Sequence, residues 1–281
     1  MNIRRIGSLA VSLLCASLIA AQTAQADKTG ILLVHYGTQN DNSRAATIDK
    51  LNKRVAEENA DCAVLEAYAA PSVIRMLDKR GIHKLNIAEA LDSLKALGCS
   101  KLTVQSTMLL DGVMTDMLRR EVEKKKGGFN TVSVARPLLY NADDCRRMAQ
   151  MIRKNLEAGN WLKGKPQVVL VGHGSDSPAN AMYCQLDYLL QDEGFEGWHV
   201  GTIEGYPTIE NVERQLRKQK NRNVLLVPLL YIAGNHQRED IDGKWKEQLE
   251  KDGFKVSVLD KGLGEMDEIQ TMIIDNIKGN K

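Results

Sequence analysis

At 281 residues, with 38 basic against 36 acidic side chains, the chain is long enough for two compact units. Its charge is too balanced for a nucleic-acid binder, and no basic patch stands out. Its five cysteines show no CxxC spacing, which argues against a cysteine zinc site and favours buried thiols over bridges.

The first 26 residues stand apart from any fold. Arg4 and Arg5 supply a positive start, Ile6 to Ala21 an apolar stretch, and Ala24-Gln25-Ala26 a small-x-small cleavage pattern. A secretory signal peptide over residues 1–26, cut before Asp27, is the expectation, and with it a periplasmic location. The apolar run is short for a span, so no stable membrane insertion is expected. Without Arg4 and Arg5 the remaining chain carries 36 charges of each sign.

Beyond Asp27, β-branched runs alternate with amphipathic helical patterns, the signature of parallel sheets covered by helices. Strands are predicted at Gly30–Tyr36, Ala63–Tyr68, Lys101–Ser106 and Thr131–Ala135, with helices at Ser43–Glu58, Ile87–Leu97 and Val113–Lys125. Asn86 can cap the second helix, Glu89 sits three residues on, and Gly98 ends it. Asp143–Ala158 reads as a linking helix. Strands at Gln167–Val171, Trp198–Thr202, Asn223–Pro228 and Lys255–Val258 follow, with helices at Ala179–Asp192, Ile209–Lys220 and Gln237–Lys251. A final helix at Glu265–Ile277 is a candidate to pack back on the first unit. The expected fold is α/β: two similar Rossmann-like parallel-sheet domains with a cleft between them. The first covers residues 27–140, to which helix 265–281 can be joined, and the second covers 141–264.

The two halves resemble each other. Ile31 to Thr38 (ILLVHYGT) matches Val168 to Ser175 (VVLVGHGS) at an offset of 137. Tyr68 to Ser72 matches Glu204 to Thr208 at 136, and Leu102 to Met114 matches Val224 to His236 at 122. Three matches in one order imply a duplicated unit. At the matching points the first half has Tyr36, Tyr68 and Met114, whereas the second has His173, Glu204 and His236. Two imidazoles and a carboxylate form a divalent-metal ligand set, and all three follow predicted strand ends, where open α/β sheets bind ligands. Each has a bland alternative as a turn or cap residue; their joint placement favours the site. Gly172, Gly174, Gly205 and Gly234 are expected to let the backbone approach a bulky ligand.

Other residues carry less. Met108 and Met114 are candidates for one wall of a pocket for a flat apolar ligand, with Tyr231 and Ile232 opposite. Leu109 and Met117 read as core. Arg75, Arg136 and Lys244 are candidates to pair with ligand carboxylates, against the alternative of solvated surface charge. His35 reads as a satisfied strand-end histidine, and His83 and His199 are assigned nothing.

From about Gly30 to Asp260 the chain resembles the anaerobic cobalt chelatases, the sirohydrochlorin cobaltochelatases of the class II chelatase group, in their periplasmic form. The resemblance rests on Tyr36-Gly37-Thr38 with Ser43-Arg44, on Val104-Gln105-Ser106, and above all on three motifs. These are Gly172-His173-Gly174, Glu204-Gly205-Tyr206-Pro207 and Ala233-Gly234-Asn235-His236. It implies two α/β halves around a tetrapyrrole cleft, with His173, Glu204 and His236 as metal ligands and catalytic residues. It also implies assembly into a homo-oligomer through apolar surfaces. Two departures stand out. Met108 occupies the place of a family histidine that binds haem in periplasmic relatives, which leaves a thioether as the available axial ligand. The loop after His236 is shorter than in most relatives, with Asp240, Asp242 and Trp245 closely spaced.

The expected activity is insertion of a divalent metal, cobalt foremost, into sirohydrochlorin or a related tetrapyrrole. Imidazoles suit cobalt, nickel, iron or zinc about equally. Two alternatives stand beside it: an exported haem, tetrapyrrole or metal carrier of the same fold without turnover, and a chelatase for iron or another metal. A serine hydrolase is disfavoured because Gly-x-Ser-x-Gly is absent, and a nicotinamide enzyme because the glycine fingerprint is incomplete.

Overall fold

The computed structural model describes residues 28–279, so the signal-peptide expectation for residues 1–26 lies outside the described residues. Two four-stranded parallel sheets share one strand order. The first contains β1 (Lys28–His35), β2 (Ala63–Tyr68), β3 (Cys99–Ser106) and β4 (Thr131–Val134), ordered β2-β1-β3-β4. The second contains β5 (Gln167–Gly172), β6 (Trp198–Thr202), β7 (Asn223–Leu229) and β8 (Lys255–Val258), ordered β6-β5-β7-β8. Every residue of the central strand β5 is buried, as expected where helices cover both faces of a parallel sheet.

The helices fall largely where the apolar periodicity puts them. They are α1 (Asp41–Arg44), α2 (Lys50–Glu58), α3 (Pro71–Asp78), α4 (Ile87–Ala96), α5 (Val113–Lys125) and α6 (Ala142–Ala158). The second half adds α7 (Ala181–Asp192), α8 (Ile209–Leu216), α9 (Lys246–Lys251) and α10 (Asp267–Lys278). The capping box of Asn86 and Glu89 forms on α4, and Gly98 follows at a φ of 79°. Helix α8 stops short of its predicted end because Lys218 to Lys220 offer no apolar residue to bury. Two π-helical stretches, Ala45–Asp49 and Gln237–Trp245, interrupt what the sequence presents as plain α-helix.

The largest core lies between the sheets. Ile31 and Leu33 of β1 and Val168 and Leu170 of β5 share it with Met148 and Ile152 of α6 and Ile273 and Ile277 of α10. Burial of each such side chain contributes roughly 1.5–3 kcal/mol. Helix α10 is also tied to α2 by Lys50–Asp267 (2.7 Å) and Lys278–Glu58 (2.8 Å), and to α6 by Arg147–Asp275 (2.6 Å). Smaller clusters cover the outer face of each sheet. No disulfide joins the cysteines among the described residues; Cys99 and Cys145 are buried, and burial pushes the Cys145 thiol up to about 11. No described helix is long and apolar enough to cross a membrane.

The loops at the carboxyl ends of the two sheets meet. Ser43 Oγ donates to the carbonyl of Ala233 at 2.8 Å, and Gly112 lies against the hydroxyls of Ser177 and Ser175.

Candidate functional site

His173 is the first residue past β5, and its neighbours are glycines for reasons of protein packing. A Cβ at Gly172 would stand 2.3 Å from the Tyr183 ring. At Gly174, where φ is +94°, a Cβ would fall 1.6 Å from the Glu204 carbonyl oxygen. Gly205 is likewise closed off, by Asn180 Oδ1 at 2.7 Å, and of the four glycines Gly234 alone faces open space. The expectation that these glycines make room for a ligand is therefore corrected: three of them admit other parts of the chain. What they allow is a close seam. Ile203 N donates to Gly172 O at 2.9 Å and Glu204 N to His173 O at 2.7 Å, so strand-like pairing continues past the sheet and fixes Glu204 beside His173.

His236 enters from the other side, immediately before the second π-helical stretch. Its ring meets that of His173 edge to face, with centroids 4.7 Å apart and planes at 87°. Each Nδ1 has an acceptor-only partner: the Gly174 carbonyl at 3.2 Å for His173, and the Asp240 carboxylate at 2.8 Å for His236. A partner that only accepts fixes the proton on Nδ1 and leaves Nε2 of a neutral ring with its lone pair. Asp240 is buried and also accepts from Lys244 Nζ at 2.7 Å. Burial pushes its carboxyl up, but hydrogen bonds from Lys244 and His236 together outweigh that and hold it below the ordinary value. Glu204 is exposed, and its charge acts on Lys244. Among the described residues no three His, Cys, Asp or Glu side chains form a ready metal-holding group, so the imidazole pair is assembled while the Glu204 carboxylate stands outside it.

Residues 29–280 match the family described as Cobalt chelatase (CbiK). The chain belongs to the cobalt chelatase family. Among curated relatives, the sirohydrochlorin cobaltochelatase of Salmonella typhimurium is 28% identical over 255 residues, covering 89% of this chain and 95% of that protein. Sirohydrochlorin cobaltochelatase CbiKC of Nitratidesulfovibrio vulgaris is 28% identical over 267 residues, covering 93% of each. Among solved structures, SirB from Bacillus subtilis with Fe3+ superposes with a TM-score of 0.63 at 14% identity, over 89% of this chain and 94% of that one. At that identity the likeness is one of fold.

In this cobalt chelatase the other candidate residues part company. Met108 and Met114 are half-buried and pack on the core of the first sheet. Tyr231 was expected to line a pocket, but it is buried in the core between the sheets, where its ring is packed on all sides. Its position in an apolar run gave no sign of which way the ring turns. Lys244 and Arg136 hold Asp240 and Asp144 respectively, and Arg75 is exposed. His35 is buried with both nitrogens engaged, by Thr107 at 3.2 Å and Asn52 at 3.0 Å. Four exposed apolar side chains have no pocket role in the sequence reading: Tyr36, Tyr140 and Tyr206 on loops and Val113 at the start of α5. Large apolar groups left uncovered at strand ends are the signal that finds them.

Proposed function

We propose that this chain inserts a divalent metal, cobalt foremost, into sirohydrochlorin or a closely related tetrapyrrole. The observation that carries it is the edge-to-face imidazole pair, His173 and His236, with both Nδ1 atoms engaged. The Nε2 lone pairs of His173, just past β5, and of His236, just before the second π-helical stretch, can take a cobalt, nickel, iron or zinc ion. Glu204, anchored through its main chain to His173, has a free carboxylate to swing toward the cation as third ligand. Metal entry displaces the pyrrole N–H protons, and the same carboxylate can accept one of them. Tyr36, Val113, Tyr140 and Tyr206 are better candidates than Tyr231 for the walls that hold the ring. On this reading residues 141–264 bring the metal, and residues 27–140 with helix 265–281 complete the cleft. Export is part of the proposal, supported by Arg4, Arg5, the apolar stretch and Ala24-Gln25-Ala26.

Purified protein mixed with sirohydrochlorin and Co2+ and followed by absorbance tests the reading. Catalytic turnover is expected, cut at least 100-fold in His173→Ala and His236→Ala, each still folded by circular dichroism. Capture of one equivalent without turnover would make the protein a carrier, and undiminished turnover in both variants would remove the site. The amino-terminal sequence of protein recovered from the periplasm is expected to begin at Asp27.

A further inference from the structure

Resting on the metal-site reading above, we infer that Asp240 is a positioning residue that fixes the His236 ring with Nε2 toward the incoming cation, with Lys244 holding Asp240 in place. The two histidines are held very differently. His173 sits half-buried on a seam of main-chain hydrogen bonds, its glycine neighbours wedged against Tyr183 and Glu204. His236 has no such frame: its side chain is 49% exposed at the start of a helical stretch, where a free imidazole would sample several rotamers.

Beside the edge contact with the His173 ring, the side-chain hydrogen bond that restrains it is the 2.8 Å bond from Nδ1 to Asp240 Oδ2. Asp240 is itself 12% exposed, and its second oxygen is occupied by Lys244 at 2.7 Å, so the carboxylate cannot rotate away without losing a charged partner. His236, Asp240 and Lys244 follow one another at four-residue intervals along one face of the stretch, which makes a relay from a surface ammonium to the imidazole. An anionic acceptor on Nδ1–H does two things for a metal-binding nitrogen. It selects the tautomer with the lone pair on Nε2, and it makes that nitrogen a stronger donor; losing such a partner typically weakens metal binding by about 10–100-fold.

Direct titration of the protein with Co2+, in the absence of tetrapyrrole, reads this separately from turnover. Asp240→Ala is expected to weaken Co2+ binding about 10–100-fold, with Asp240→Asn less affected because its amide oxygen still accepts from Nδ1. In a His236→Ala background the Asp240→Ala change is expected to cost nothing further. Parent-like Co2+ affinity in Asp240→Ala, alongside loss in His236→Ala, would overturn the inference and leave the metal site standing. An equal loss with and without His236 would also overturn it, by revealing a merely structural role. Parent-like affinity in His236→Ala would remove the metal-site reading itself. If Asp240→Ala does not fold, Lys244→Met serves the same cycle, with a smaller loss that likewise vanishes without His236.

Discussion

The two halves share one strand order and differ in the residues that follow the carboxyl ends of their strands. Val34 pairs with Ser106 and Val171 with Pro228 in their respective sheets, so His35 to Thr38 correspond to Gly172 to Ser175, and Tyr36 stands where His173 does. Eight residues past Ser106 and Pro228 come Met114 and His236, one packed on a core and the other exposed. The third correspondence does not survive in the strand register. His35 pairs with Tyr68, whereas Gly172 pairs with Thr202, so the register equates Tyr68 with Thr202 and not with Glu204. β2 reaches α3 through two residues, 69–70, while β6 reaches α8 through six, 203–208. Glu204 therefore belongs to an extended loop that the first half does not have. On the proposed reading, the copy that binds metal differs from the other by two side chains and one longer turn.

The glycine two residues past each central strand gives the sharpest contrast. Gly37 and Gly174 both have positive φ, but an added Cβ would meet the Tyr68 ring at 2.4 Å in the first half and the Glu204 main chain at 1.6 Å in the second. Ring atoms can be removed; a carbonyl cannot. Gly174→Ala is expected to cost about 4 kcal/mol or more, through forced left-handed backbone and displacement of the Glu204 loop, and to abolish metal insertion. Gly37→Ala should also destabilise. Much of that cost should disappear in a Tyr68→Ala background, leaving the backbone share of about 1–3 kcal/mol. Chemical denaturation of the four variants checks this. Equal rescue of Gly174→Ala by shortening Glu204 to Ala would contradict the main-chain origin of the clash.

Each half also buries a histidine, and the pair predicts a pH signature. His35 has two hydrogen-bond partners, whereas the buried Nε2 of His199 has none. Burial, helped by the charge of Lys218, lowers the His199 pKa from 6.5 to about 4. As pH falls below 6.5 the unfolded chain takes up a proton that the folded chain refuses until about pH 4. The stabilisation is thus complete above pH 6.5 and drains away between 6.5 and about 4, by ~3 kcal/mol. His199→Leu should flatten that decline and cost little at pH 7, because it orphans no partner. His35→Leu should cost about 1–3 kcal/mol at pH 7, since Thr107 and Asn52 lose theirs. Urea midpoints from pH 7 to 4 measure both, and an unchanged slope in His199→Leu would show that its proton is not the one excluded.

Much of this was legible in residues. The bounds of β2, β6 and β8 follow from short β-branched runs closed by turn residues, and α4 announces its start through Asn86 and Glu89. The pairing of His173 with His236 followed from their positions past strand ends. Helix α3 has no counterpart among the predicted elements because eight residues with a single Val73–Leu77 buried stripe carry little periodicity. The π-helical stretches have no local signature, since a shifted hydrogen-bond register arises from packing and not from propensity. Asp240 shows in the sequence only as one of several closely spaced residues, and its four-residue interval from His236 is the one clue to their contact. Tyr231, Gly172, Gly174 and Gly205 depart from expectation for one reason: a motif shows which residues gather at a strand end, but not whether protein or ligand fills the space they leave.

The smallest expected effect tests whether the loop matters as much as the side chains. Tyr36→His places an imidazole at the first-half counterpart of His173, on a scaffold of the same topology. It brings no second nitrogen, because Met114 packs on the core, and no carboxylate, because the short turn after β2 offers Ala69 and Ala70 in place of an extended Glu204 loop. Tyr36 is 51% exposed, so the substitution should move stability by less than about 0.5 kcal/mol. Co2+ titration of Tyr36→His is expected to give the same stoichiometry as the parent. A second equivalent of Co2+, bound with comparable affinity, would mean that one strand-end imidazole is enough on this scaffold and that the lengthened turn after β6 adds nothing to metal capture.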